Sequence, residues 1–163
     1  MEKYNFEYLY KLAFTDLQTG LKNRNAYEEK LSELRAEPAK LENLNVAIID
    51  INELREINNN FGHSCGDEAI KTVAACILAV FGDDDFCARI GGDEFIVFLY
   101  SEYEEKIDKF KNMIKNETLN KKYKLAVSIG VSSYSKDKSS GIDDLVKSSD
   151  EKMYANKKAL KGN

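Results

Sequence analysis

Seven consecutive residues, Arg89-Ile90-Gly91-Gly92-Asp93-Glu94-Phe95, set two acids directly after two glycines and ahead of an apolar run. Paired glycines let a chain turn tightly and let a ligand approach its backbone. Two carboxylates at such a tip put negative charge where water and cations reach it. Taken alone, the same stretch is also a polar hairpin turn. Asp50 ends the apolar run Val46-Ala47-Ile48-Ile49 and so falls at a sheet edge. An acid there either caps the helix that follows or ligates a cation. If its strand lies beside the glycine turn, Asp50, Asp93 and Glu94 converge, and three such carboxylates repel one another unless a cation is present. Hard oxygen donors with water left over suit Mg²⁺ carried with a nucleoside triphosphate.

Asp67 lies three residues before Ile70, on the expected apolar stripe of a helix that Gly66 opens. An acid near a helix start favours the dipole. On an inward face it also needs donors, which guanine offers at N1 and N2. Asn58 has both amide donor and acceptor to complete that recognition, although as a loop asparagine it would be unremarkable. Lys157 and Lys161 stand one helical turn apart. They meet phosphates there, or form an ordinary solvated basic helix end. His63 has no partner set for catalysis and reads as structural. The chain contains no GxxxxGK[ST] phosphate loop, and no Ser/His/Asp arrangement stands out.

The elements that must position these groups follow from periodicity. With 163 residues the chain suits one domain with a full core. Its net charge of −4 excludes a protein that coats nucleic acid. No apolar run reaches bilayer length, and the first residues lack the order of a secretory signal. Cys65, Cys76 and Cys87 are widely spaced and read as buried thiols of a reducing compartment, not a disulfide or zinc framework. Aromatic and aliphatic residues at Tyr4, Tyr8, Leu9 and Leu12 predict a lead-in helix over 4–14. A second helix is expected over 25–35, with Ala26, Leu31 and Leu34 inward and Pro38 beyond its end. A central strand fits 46–50, a short helix 53–61, and a longer helix from 66 with Ile70, Val73, Ala74, Ile77 and Leu78 as its stripe. Residues 86–90 and 95–100 flank the glycine turn as a hairpin; 102–115 is an amphipathic helix, 124–133 a strand and 142–160 a closing helix. That order implies a mixed sheet with helices packed on it.

Five ordered motifs resemble the GGDEF family over about 145 residues. Asp16-Leu17-Gln18-Thr19-Gly20-Leu21-Lys22-Asn23-Arg24 is similar to its opening D-x-L-T-G-L-x-N-R, with Gln18 in place of leucine. Residues 50–67 resemble D-x-D-x-F-K-x-I-N-D-x-x-G-H-x-x-G-D, keeping Asp50, Ile57, Asn58, Gly62, His63, Gly66 and Asp67. Gly91-Gly92-Asp93-Glu94-Phe95 matches the name motif. Ser128-Ile129-Gly130-Val131-Ser132 resembles S-I-G-V-S, and residues 150–157 resemble the closing A-D-x-A-M-Y-x-A-K.

The resemblance implies an α+β, nucleotidyl-cyclase-like fold: a mixed, mainly antiparallel sheet surrounded by helices, with a lead-in helix over 1–15 and the GGDEF domain over 16–163. It implies a diguanylate cyclase, a nucleotidyltransferase that condenses two GTP into cyclic di-GMP and releases pyrophosphate. Mg²⁺, or Mn²⁺, would be its cofactor. By this likeness Asp93 and Glu94 are catalytic, and Asp50, the Ile51 carbonyl, Asp93 and Glu94 hold the metal. Asn58 and Asp67 read guanine, Arg55, Lys157 and Lys161 contact phosphates, and Gly91 and Gly92 form the turn. The two-fold symmetry of the product implies a homodimer. A cytoplasmic signalling module, with room for an upstream sensor domain, no nucleic-acid partner and no direct membrane insertion, completes the expectation.

The chain departs from the pattern at Asn52 for the second aspartate, at Glu53 and Leu54, at Arg55 for lysine and at Asn59 for aspartate. Leu160-Lys161-Gly162-Asn163 stands where the family closes with G-[RK]-N. These departures keep open a second reading, a GTP-binding regulatory module with little or no turnover. Many family members also carry an Arg-x-x-Asp product-inhibition site whose aspartate precedes the two glycines by five intervening residues. Here Gly82 takes the place of the arginine and Asp85 is present, with Asp83 and Asp84 between them. No product-inhibition site is therefore expected.

Overall fold

The apolar run at 46–50 lies within β1 (Asn45–Ile51), whose two edges are both taken. On one side it pairs antiparallel with β3 (Glu94–Leu99), on the other with β4 (Val127–Ser133). β2 (Phe86–Arg89) pairs outside β3, so the sheet order is β2-β3-β1-β4 with every ladder antiparallel. One parallel bridge, Lys22 to Ala88, ties the chain ahead of the second helix to β2. The computed structural model describes residues 2–82, 84–100, 102–135 and 141–161, with side chains from 6 to 160 within those spans.

The described residues form six helices, of which all but the first pack on this sheet. They are α1 (Glu2–Phe14), α2 (Arg24–Ala36), α3 (Leu54–Phe61), α4 (His63–Phe81), α5 (Glu104–Thr118) and α6 (Ile142–Lys161). A 3₁₀ turn over Pro38–Leu41 follows α2. Alternate strand residues point to opposite faces. Ala47, Ile49, Ile51, Phe95, Val97 and Leu99 accordingly pack under α3, α4 and α5. Val46, Ile48, Ile96 and Phe98 pack with α2 and α6. Phe81, Phe95, Phe98 and Phe110 are almost wholly buried, each contributing about 2–3 kcal/mol of apolar burial. α2 buries Ala26, Leu31 and Leu34 as expected, and Tyr27 with them. Its N-cap is Asn23, whose Oδ1 accepts from the Ala26 N–H.

Three details differ from the periodicity. α4 starts at His63, not Gly66, because Gly62 adopts φ 90° and turns the chain directly out of α3. Phe81, not Leu78, completes its buried stripe; Leu78 is 42% exposed. β4 starts at Val127, not 124. Both backbone groups of Leu125 are taken by the Thr118 hydroxyl at the end of α5, which accepts from the N–H and donates to the carbonyl.

α6 lies against β4 at a row of small residues, Ser128, Gly130 and Ser132. A Cβ at Gly130 would lie 2.0 Å from the Ser149 carbonyl and 2.2 Å from the Met153 nitrogen. The Ser149 hydroxyl donates to the Val46 carbonyl, and Asn156 Oδ1 accepts from the Ile129 N–H. This seat sets where the last turns of α6 fall over the sheet end. The lead-in helix is present as α1, but Phe6, Tyr8, Leu9, Tyr10 and Leu12 stay exposed and join neither core. The Tyr4 side chain lies outside the described residues. Among the described residues no helix is long and apolar enough to cross a membrane.

Candidate active site

The register of β1 on β3 sets Asp50 directly opposite Glu94. Residues facing one another across an antiparallel pair share a face, here the one covered by α6. Asp50 is buried at 5% exposure, and Glu94 is half-buried. Lys157 reaches down from α6 and its ammonium donates to Asp50 Oδ1 at 2.6 Å. Burial and the charges of Asp50, Asp93 and Asp150 raise the Glu94 carboxyl above its ordinary range, against the pull of Lys157. Burial opposes charge on Lys157, yet the hydrogen bond to Asp50 and the field of Asp50, Asp93 and Glu94 outweigh it and hold the ammonium high. The Ile51 N–H donates to the Asp93 carbonyl at 2.9 Å, tying the end of β1 to the turn.

The expected three-carboxylate cluster is not assembled as such. Among the described residues no three His, Cys, Asp or Glu side chains stand close enough together to ligate an ion. Asp93 immediately precedes Glu94 at the strand entrance, where consecutive side chains diverge, and Lys157 is seated on Asp50. The donor set still fits a hard dication. It is carboxylate oxygen, and the like-charge crowding that lifts Glu94 is what a divalent ion relieves.

The glycine turn is built differently from expectation. Neither Gly91 nor Gly92 lies in the left-handed φ range. A Cβ at Gly91 would meet only the flexible Glu94 carboxylate at 2.9 Å, and nothing lies near Gly92. Arg89 organises the turn instead: Nε donates to the Gly91 carbonyl at 3.1 Å and Nη2 to the Gly92 carbonyl at 2.7 Å. Arg24 Nη1 donates to the Ile90 carbonyl at 3.0 Å. Arg89 also reaches the opening motif through Asp16 at 3.3 Å and Gln18 Oε1 at 2.7 Å. Neither Arg89 nor Gln18 was legible as a site residue from types and spacing. An arginine just ahead of the glycines was the available signal.

Asn58 and Asp67 lie on either side of the α3–α4 corner, in the last turns of α3 and the first turns of α4. Gly66 is buried, and a Cβ there would fall 1.9 Å from Asn58 Oδ1, so glycine makes room for that amide. Asp67 is not on the inward stripe. With α4 beginning at His63 the buried positions are Gly66, Ala69, Ile70 and Val73, and Asp67 is exposed on their flank. Its Oδ1 accepts from Gln18 Nε2 at 2.8 Å. Arg55 is exposed near the start of α3. Lys161 is the last residue of α6, and its side chain lies outside the described residues, as do Asp83, Gly162 and Asn163. A groove of about 710 Å³ starts at Ser64 and Asp67 and runs between α4 and α5 to Met113 and Glu117. Neither Asp50 nor Glu94 lines it.

The departures from the motif have structural places. Asn52 is buried and its Oδ1 accepts from the Ser128 hydroxyl at 2.7 Å. Glu53 takes a left-handed conformation, φ 58°, as it enters α3. The segment around Asp85 is not purely acidic, because Lys106 of α5 donates to Asp85 Oδ2 at 2.6 Å and that carboxylate is 3% exposed. The three thiols are free. Burial pushes Cys76 up to about 11 and Cys87 up to about 12, so both remain protonated packing groups.

Known proteins resemble this chain in sequence and fold. "Diguanylate cyclase A" of Treponema denticola is 30% identical over 164 residues, covering 94% of this chain and 44% of its own length. "Diguanylate cyclase" of Vibrio cholerae is 38% identical over 103 residues, covering 61% of this chain and 31% of its own. The chain thus spans less than half the length of these relatives. A crystal structure of the coiled coil and GGDEF domain of DgcB from Caulobacter crescentus, in complex with c-di-GMP, superposes with a TM-score of 0.85 at 24% identity, covering 96% of this chain and 87% of that one. At that identity the likeness speaks for the fold. The family model for the diguanylate cyclase, GGDEF domain, matches residues 13–163. With the glycine–acid turn, Asp50 opposite Glu94 and this match over nearly the whole length, the chain belongs to the GGDEF family.

Proposed function

We propose that this protein is a diguanylate cyclase, joining two GTP into cyclic di-GMP with release of two pyrophosphates. The observation that carries the reading is Asp50 facing Glu94 across adjacent strands, beside the turn that carries Asp93. Asp50, Asp93, Glu94 and the Ile51 carbonyl would hold Mg²⁺ or Mn²⁺, which when bound supplies positive charge to the reacting phosphate oxygens. In each bond-forming step a ribose 3′-oxygen attacks the α-phosphorus of the other GTP, and the bond to pyrophosphate breaks. Glu94, whose carboxyl holds protons more tightly than an ordinary acid, suits receipt of the 3′-hydroxyl proton. Asn58 and Asp67 would bind the guanine edge. Arg55, Lys157 and Lys161 would face the phosphates, Lys157 leaving Asp50 to do so. One GTP per subunit, with two subunits face to face, accounts for the symmetry of the product.

The reading places the chain in second-messenger signalling, as a cytoplasmic module that α1 would join to an upstream sensor. The rival, a GTP-binding module without turnover, gains nothing from the departures. Asn52 is spent on Ser128 within the sheet, and Asp50 and Glu94 are intact. Incubation with GTP and Mg²⁺, followed by chromatographic separation, tests the proposal. Cyclic di-GMP should appear at a specific rate that rises with protein concentration, as a dimeric catalyst requires. Bound but unconverted GTP would overturn it in favour of the rival.

A further inference from the structure

We infer that Gln18 is a positioning residue for base recognition, orienting the Asp67 carboxylate and tying it to the glycine turn. This rests on the reading of Asp67 as the group that binds guanine. Asp67 stands exposed on the flank of α4, and an exposed aspartate samples several rotamers. Here Oδ1 accepts from Gln18 Nε2 at 2.8 Å, across 49 residues of sequence.

The orientation of the Gln18 amide follows from its partners. Arg89 Nη1 lies 2.7 Å from Gln18 Oε1, and a guanidinium only donates, so the oxygen must face it and the amide NH₂ must face Asp67. Arg89 is itself held by Asp16 and by the Gly91 and Gly92 carbonyls. The network therefore runs from the turn that carries Asp93 and Glu94, through Arg89 and Gln18, to Asp67. Gln18 stands where the family motif has leucine, a side chain that neither donates nor accepts. Here the Asp67 carboxylate is linked by hydrogen bonds to the acidic turn. One carboxylate oxygen keeps a lone pair beside the Gln18 bond and the other stays open, so a guanine edge still finds acceptors for N1–H and N2–H.

The test is a double-mutant cycle on Gln18→Leu, Asp67→Ala and the pair, titrating GTP and ATP by calorimetry with urea unfolding as a control. Gln18→Leu should weaken GTP binding roughly fivefold, the net worth of one partly exposed hydrogen bond, and leave ATP binding unchanged. A merely structural defect would weaken both nucleotides alike. In the Asp67→Ala background Gln18→Leu should add nothing, because the acceptor through which Gln18 acts is removed. Gln18→Ala should repeat the loss and exclude an effect of leucine packing. Unchanged GTP affinity in Gln18→Leu, or an equal loss in both backgrounds, overturns the inference while leaving the base-reading role of Asp67 intact. Unchanged affinity in Asp67→Ala overturns that role, and the role of Gln18 with it.

Discussion

Replacing Gly130 with alanine should unseat α6 and disable the site from 27 residues away in sequence. The added Cβ would lie 2.0 Å from the Ser149 carbonyl oxygen and 2.2 Å from the Met153 nitrogen, both backbone atoms of the helix. Ordinary contact begins at 3.4 Å, so the closer pair is short by the difference, roughly 1.4 Å, which a helix cannot absorb by a rotamer change. β4 is paired with β1 from Ser133 to Val127, so α6 is the part that yields. The Ser149–Val46 and Asn156–Ile129 bonds loosen as it does. Overpacking of this kind costs about 1–3 kcal/mol. Lys157 lies one turn beyond Met153, and a 2.6 Å bond to Asp50 does not survive such a shift. A misplacement near 1 Å lowers a reaction rate on the order of a hundredfold. Urea unfolding and the initial rate of cyclic di-GMP formation are the two measurements. Lys157→Met is the comparison: it removes the ammonium without disturbing the seat, so its rate should fall with a smaller loss of stability. A Gly130→Ala protein with wild-type stability and rate would refute the account of how α6 is placed.

Asp93→Ala or Glu94→Ala should abolish cyclic di-GMP formation while leaving the far-ultraviolet circular dichroism unchanged, because both side chains are half-buried at the rim and outside the two cores. Gly66→Ala should drive the Asn58 amide aside, since its Cβ would fall 1.9 Å from Asn58 Oδ1. GTP affinity should drop about tenfold by calorimetry, whereas the urea midpoint should fall little or even rise, because alanine favours a helix by about 1 kcal/mol over glycine. Added cyclic di-GMP should leave progress curves nearly unchanged at low micromolar concentration. The Asp85 side chain is 3% exposed and bonded to Lys106, and Gly82 offers no guanidinium for a phosphate. Strong non-competitive inhibition would show an anion site elsewhere.

Much of the fold was legible because its signals are local. The apolar run before Asp50, the alternation on either side of the glycine turn and the stripe of α4 each follow from periods that neighbouring residues carry. The acids that face one another at the sheet end were legible for the same reason, as the last residue of one run and the first of another. Their pairing was not. That Asp50 stands opposite Glu94 depends on a register between strands 44 residues apart, and that Lys157 sits on Asp50 depends on a glycine in β4 admitting α6. Asp67 shows how one misassigned position shifts a stripe. Counting Leu78 as inward swings the expected face of α4 toward Asp67, which lies on the same side of the helix. In the structure Leu78 is exposed, Phe81 and Gly66 go inward, and Asp67 faces outward to Gln18. Residue types and order determined which chemistry the chain carries, since motifs and periodicities are written in adjacent residues. Which groups share a proton, a hydrogen bond or a field was decided only by tertiary packing, because those couplings join residues dozens of positions apart through contacts that no local pattern encodes.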